Sequence, residues 1–157
     1  MISEIKSMNF DYLHGALGFG IYFLSRIQKN RKVENYLIEL VNELEKESKI
    51  DIKNSLRWPP LKMTKDTKGV ISNLSLSHGM ASIIVFLSKV YNQNILKEKN
   101  YKLLDGAITY ILSNHLDSSI FYSCFPSMIV ESEKSSNSRL AWCYGDLGIG
   151  MSFIKRE

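Results

Sequence analysis

Three glycines at nearly equal intervals constrain the fold of this chain more than any other feature. Gly15, Gly79 and Gly145 stand 64 and 66 residues apart, and each opens a run of small and apolar residues. His14-Gly15-Ala16-Leu17-Gly18-Phe19-Gly20 is echoed by His78-Gly79-Met80-Ala81-Ser82-Ile83-Ile84, and again by Tyr144-Gly145-Asp146-Leu147-Gly148-Ile149-Gly150. A fixed period of this kind marks a repeated supersecondary unit whose faces are buried by stacking on its neighbours. The runs lack a polar side, as helices buried all round do. They predict inner helices over roughly 15–28, 79–91 and from 146 onward. Glycine in the first turn lets backbone approach a neighbour or ligand closely, where helix N–H groups are still unpaired.

Between these runs lie segments of the opposite character. Val33, Tyr36, Leu37, Leu40, Val41 and Leu44 recur at helical spacing, with Glu34, Glu39, Asn42, Glu43 and Lys46 on the other side. Tyr101, Leu104, Ala107, Ile108, Ile111 and Leu112 repeat the pattern. Alternating buried and amphipathic helices predict an all-α ring, with inner helices around a centre and outer helices around them. Residues 49–77, with Trp58-Pro59-Pro60, and 117–142, with Phe125-Pro126 and the polar run from Glu131 to Ser138, read as long connections. Each leads into an inner helix, so both converge on one end of the ring, and long loops in compact domains are often functional. Short strands fit near Ser55–Arg57 or Phe121–Ser123.

Composition narrows the function. With 45% hydrophobic residues, 23% charged residues and a net charge of +4, the 157-residue chain has the makings of one globular domain. Its Lys and Arg residues are scattered among acidic neighbours, which argues against a nucleic-acid surface. Two cysteines, Cys124 and Cys143, do not make a disulfide framework. Met1 to Phe10 lacks the pattern of a signal peptide, and no apolar run is long enough to span a bilayer, so the expected location is the cytoplasm.

The residues able to carry chemistry cluster at the glycine turns. Cys143 precedes the third inner helix, where the positive end of the helix dipole favours thiolate; a buried small hydrophobe is the plain alternative. His78 fits a ligand, an acid or base, or a hydrogen-bonded cap. Asp11 fits a helix cap, Arg139 a loop cation and Tyr144 a packing residue.

Trp142-Cys143-Tyr144-Gly145, preceded by Arg139 and followed by Gly148, resembles the signature of the lanthionine synthetase C-like proteins. Asp11-Tyr12-Leu13-His14-Gly15-Ala16-Leu17-Gly18 resembles that family's Asp-x-x-x-Gly-x-x-Gly segment, and Leu76-Ser77-His78-Gly79 its inner-helix His-Gly segment. The resemblance implies an α/α toroid of about seven helix pairs. It implies one Zn²⁺ held by two cysteines and a histidine, with a fourth position open to substrate. It implies addition of a peptide cysteine to dehydroalanine or dehydrobutyrine in a dehydrated precursor peptide, downstream of a dehydratase. By the same resemblance Cys143 matches a zinc ligand and His78 the histidine proposed for proton transfer. Asp11, Arg139 and Tyr144 match further pocket residues, with Asp11 implied to orient or charge the histidine, while His14 receives no role.

The family's other zinc ligands come from a Cys-His-Gly segment, which residues 1–157 lack; Cys124, before Phe125-Pro126, matches no ligand motif. The expectation is therefore a single partial domain, a truncated middle part of the toroid with about three inner/outer helix pairs. Such a chain is expected to bind zinc weakly, to be inactive alone and to self-associate through exposed edges. The alternative is a non-catalytic peptide-binding or scaffold member of the same family. Unrelated toroids such as glycosidases or terpene cyclases need paired acids or Asp-rich metal segments, which the inner-helix turns do not contain.

Overall fold

The computed structural model describes residues 9–60, 69–131 and 134–154. Residues 1–8, where the signal peptide was sought, lie outside it, as do 61–68 and 132–133 of the two long connections and 155–157 beyond the third inner helix. Among the described residues five helices dominate: α1 (Ala16–Leu24), α2 (Val33–Glu47), α3 (Met80–Asn92), α4 (Lys97–Ser113) and α5 (Asp146–Phe153). Two short antiparallel strand pairs accompany them, and the described residues are mostly helical, in keeping with the expected helical class. β1 (Lys49–Ile50) pairs with β2 (Leu56–Arg57) across a 3₁₀ turn, and β3 (Val70–Asn73) pairs with β4 (Met128–Val130).

The helices alternate in role as the periodicity predicts. α1 packs on α3 and α3 on α5, while α2 covers α1 and α4 covers α3. In α2 the apolar stripe Val33, Leu37, Leu40, Val41 and Leu44 is buried, with Glu34 in the first turn and Lys46 in the last complementing the helix dipole. In α4 the buried face is turned slightly from the expected stripe. Leu103, Gly106, Ala107, Tyr110 and Ile111 face inward, whereas Tyr101 and Leu112 are 61% and 54% exposed. The side chain of Leu56 on β2 presses where Gly106 has no Cβ, and a Cβ there would lie 2.5 Å from it. The bare backbone lets β2 pack closely on the inward side of α4.

Full burial of the inner helices holds for α3, whose residues from Met80 to Ile84, with Phe86, Leu87 and Val90, are buried between α1, α4 and α5. α1 and α5 each keep an open apolar side. Phe19 and Tyr22 on α1 are 46% and 54% exposed, and Leu147 on α5 is also exposed. α1 is shorter than expected: beyond Leu24 the chain passes into turns, where Arg26 N–H bonds three residues back to Phe23 C=O at 2.9 Å.

The long connections meet, as expected, at the glycine end of the inner helices. The β3–β4 ladder ties one to the other, although Phe121–Ser123 forms no strand. The strands occur instead where Leu74 N–H also bonds to Ser127 C=O at 2.9 Å. Trp58, buried in front of its two prolines, donates Nε1–H to Leu44 C=O at 2.7 Å and its backbone N–H to the Met80 sulfur at 3.4 Å. This indole fastens the first connection to α2 and α3 together.

Candidate functional site

The three glycine turns repeat in three dimensions as closely as in sequence. Gly15, Gly79 and Gly145 cap α1, α3 and α5 in extended backbone, with φ of −138°, −148° and −160°. Any residue adopts these angles, so glycine is required for space. A Cβ on Gly15 would sit 2.5 Å from the Asn9 carbonyl oxygen; on Gly79 it would strike the Asn73 carbonyl, and on Gly145 the Arg139 carbonyl. In each case the obstructing carbonyl lies six residues upstream. The close approach expected of these glycines is therefore to the chain's own incoming loop. Gly18 and Gly148 repeat the relation one turn later, against the carbonyls of Tyr12 and Trp142.

Each loop is further held by polar side chains. Asn9 Oδ1 accepts the Asp11 N–H at 3.2 Å, and Asn73 Oδ1 accepts the Ser75 N–H at 2.8 Å, the same turn 64 residues later. Asp11, 2% exposed, accepts the N–H groups of Leu13 (2.7 Å) and His14 (2.6 Å) through Oδ1. Its other oxygen, Oδ2, pairs with Nδ1 of His78 on the next repeat. A carboxylate accepts only, so it selects the tautomer with the proton on Nδ1. Nε2 of His78 makes no hydrogen bond among the described residues and is left for other chemistry.

The rings at the position before each glycine gather into one stack. His14 lies against His78 with centroids 6.1 Å apart and planes 18° apart, and Tyr144 meets His78 at 5.4 Å and 39°. The structural counterpart of His14 and His78 is thus Tyr144, and Cys143 corresponds to Ser77. The two positions are joined directly, since Ser77 Oγ donates to Cys143 C=O at 3.0 Å. Cys143 is half-buried and its thiol is free; Cys124 is exposed, with its N–H bound by Asp146 Oδ2 at 2.6 Å. Arg139 contributes backbone rather than charge. It bridges Gly145 and its carbonyl accepts the Asp146 N–H at 3.2 Å, while its exposed guanidinium joins none of the ion pairs among the described residues.

Of the five residues singled out in the sequence, the fold brings Asp11, His78 and Tyr144 into contact and sets Cys143 beside them through Ser77. The side chain of Arg139 is not drawn in. A cleft lined by Asp11, His78, Asn73 and the apolar group Phe10, Trp58 and Met80 adjoins the pair; its free volume of about 20 Å³ holds a water-sized molecule. Zinc fits these residues poorly. Nε2 of His78 is open, but with the Cys143 thiol as the one cysteine beside it the described residues fall short of a tetrahedral ligand set. Among the described residues no three His, Cys, Asp or Glu side chains form a metal-holding group.

Sequence reasoning missed Asp146, whose carboxylate holds the second connection in place through Cys124 N–H, Phe125 N–H (3.0 Å) and Ser138 Oγ–H (3.4 Å). It also missed the asparagines of the turns, although Asn9 and Asn73 each stand six residues before a repeat glycine. No helix among the described residues is long and apolar enough to cross a membrane. The chain has no match among curated proteins. The family model described as lanthionine synthetase C-like protein matches residues 1–156, essentially the whole chain. This match over essentially the whole chain places it in the lanthionine synthetase C-like family.

Proposed function

We propose that this chain carries the proton-transfer part of a lanthionine-forming cyclase site, acting on a dehydrated precursor peptide. The supporting observation is the pairing of buried Asp11 with His78 Nδ1, which presents Nε2 of the same ring as a base. In the addition, the thiol sulfur of a peptide cysteine attacks the β-carbon of dehydroalanine or dehydrobutyrine. A C–S bond forms, the C=C π electrons move to the enolate, and the S–H bond breaks. His78 Nε2 takes the thiol proton, Asp11 stabilises the resulting imidazolium, and the same proton is returned to the α-carbon. Atoms balance without an oxidant or reductant. Tyr144 packs against the imidazole and restricts its rotation.

Zinc, when bound in this family, supplies thiolate at neutral pH. Cys143 is the residue here whose motif matches a ligand, and no step above depends on the metal. On this reading the helix pairs form part of an α/α toroid with the glycine turns on its rim, and a dehydratase supplies the dehydro residues. A second reading, a peptide-binding member without chemistry, draws on the open apolar face of α1 at Phe19, Tyr22 and Phe23, next to Gly15 and Gly18.

The test is stereochemical. At pH 8 a peptide thiol is already partly ionised, so a peptide with one cysteine and one dehydroalanine cyclises slowly by itself and is protonated on either face. Zinc-dependent turnover is not expected of this chain alone, but stereocontrol of the spontaneous reaction needs only the His78 site. With the protein present, one diastereomer is expected in excess, and His78→Asn should return the ratio to that of peptide alone. Equal ratios with and without the wild-type chain refute the catalytic reading.

A further inference from the structure

We infer that His14, to which neither the family motif nor the mechanism above gives a part, is a positioning residue for His78. Three observations converge on it. First, its imidazole lies on that of His78 at a near-parallel 18°. Second, its backbone is pinned on both sides: Asp11 Oδ1 accepts its N–H at 2.6 Å, and Asn9 Nδ2–H donates to its C=O at 3.2 Å. Third, the carboxylate that fixes the His14 peptide is the one that holds the His78 ring, so a single buried group sets both rings in register.

An exposed histidine in a loop would ordinarily be free to turn. Here the backbone is clamped at the point from which the ring extends over its neighbour. His78 is then confined by an anchor at Nδ1, by His14, and by Tyr144. Rotation of the His78 ring away from Asp11 must break the hydrogen bond and lose both ring contacts. The repeat explains how the contact arises, because position 14 of the first unit is position 78 of the second. Like turns set side by side bring like residues together. The ring of His14, rather than its ability to carry a proton, performs this role.

The role rests on reading His78 as the proton-transfer group, yet its test needs no turnover. The measurement is side-chain ¹⁵N NMR of the full chain, reading the tautomer of His78 and the exchange of its Nδ1 proton with water. The wild type should show the Nδ1–H tautomer with a slowly exchanging proton. Asp11→Asn should abolish that signal, which establishes that it reports the anchor. His14→Ala should speed exchange by about two- to tenfold, the worth of one ring contact, and His14→Phe should restore the slow rate. The amide spectra of α1 and α3 in His14→Phe and His14→Ala confirm that both variants are folded. Unchanged exchange in His14→Ala overturns the inference, as does His14→Phe exchanging as fast as His14→Ala. Loss of stereocontrol in the peptide reaction would strike the proposed function and leave this measurement intact.

Discussion

Replacing Gly79 by alanine isolates one physical effect at the centre of this fold. The backbone there is extended, at φ −148°, so alanine meets no conformational penalty and should even gain about 0.4–1 kcal/mol by restricting the unfolded chain. Against this, the new methyl would overlap the Asn73 carbonyl, with the Asn73 side-chain oxygen 2.7 Å away. The carbonyl must retreat by about 1 Å to reach ordinary contact distance. It cannot do so as a flexible side chain would, because it belongs to β3 and to the turn in which Asn73 Oδ1 holds Ser75 N–H. Overpacking of this kind costs about 1–3 kcal/mol, and the rigidity of the obstacle places Gly79→Ala toward the upper end. A net loss of about 2 kcal/mol lowers the melting temperature of a chain this long by roughly 4–8 °C. The assay is thermal unfolding followed by circular dichroism. Gly150 is the internal control: it lies inside α5 with nothing within 4 Å of a built Cβ, so Gly150→Ala should be neutral or stabilising by up to about 1 kcal/mol. Equal or higher stability of Gly79→Ala relative to wild type would refute the steric account of the repeat glycines.

Two further perturbations test how the connections are held. Trp58→Phe keeps most of the buried ring but removes the Nε1–H bond to Leu44 C=O; it should cost about 1–3 kcal/mol by urea unfolding, the penalty for an unpaired buried acceptor. Asp51 lies below the usual carboxylate range, held there first by the N–H of Ile52 and then by Arg57, whose Nε donates to it at 2.7 Å. Because its folded pKa is depressed, its contribution is complete above the unfolded value near 3.8 and is lost as pH falls through the lower folded value. Urea unfolding at pH 7 and pH 3 should therefore show a smaller acid-induced loss in Asp51→Asn than in wild type.

The repeat and its chemistry were legible in the sequence because both depend on local pattern. The apolar stripe of α2, the start of each inner helix and the loop positions of Asp11, His78 and Cys143 all follow from spacing and residue type. The matching motifs around them also named the family. Long-range neighbours were a different matter. The resemblance implied that Asp11 orients or charges His78, but nothing between residues 11 and 78 states which atoms meet, and His14 looked idle until its ring was seen on that of His78.

Sequence by itself thus determined the units, their order and the residue types at their turns, since helix periodicity and glycine placement are properties of neighbouring residues. Only the tertiary structure decided what the glycines touch, which face of α4 turns inward, and that Tyr144 rather than Cys143 completes the ring stack. Those outcomes depend on how separate segments fill the same space. The glycine contacts reach only six residues upstream but depend on how the incoming loop turns. Leu56 meets Gly106 across 50 residues and His78 meets Tyr144 across 66, and such packing leaves no periodic trace in the chain.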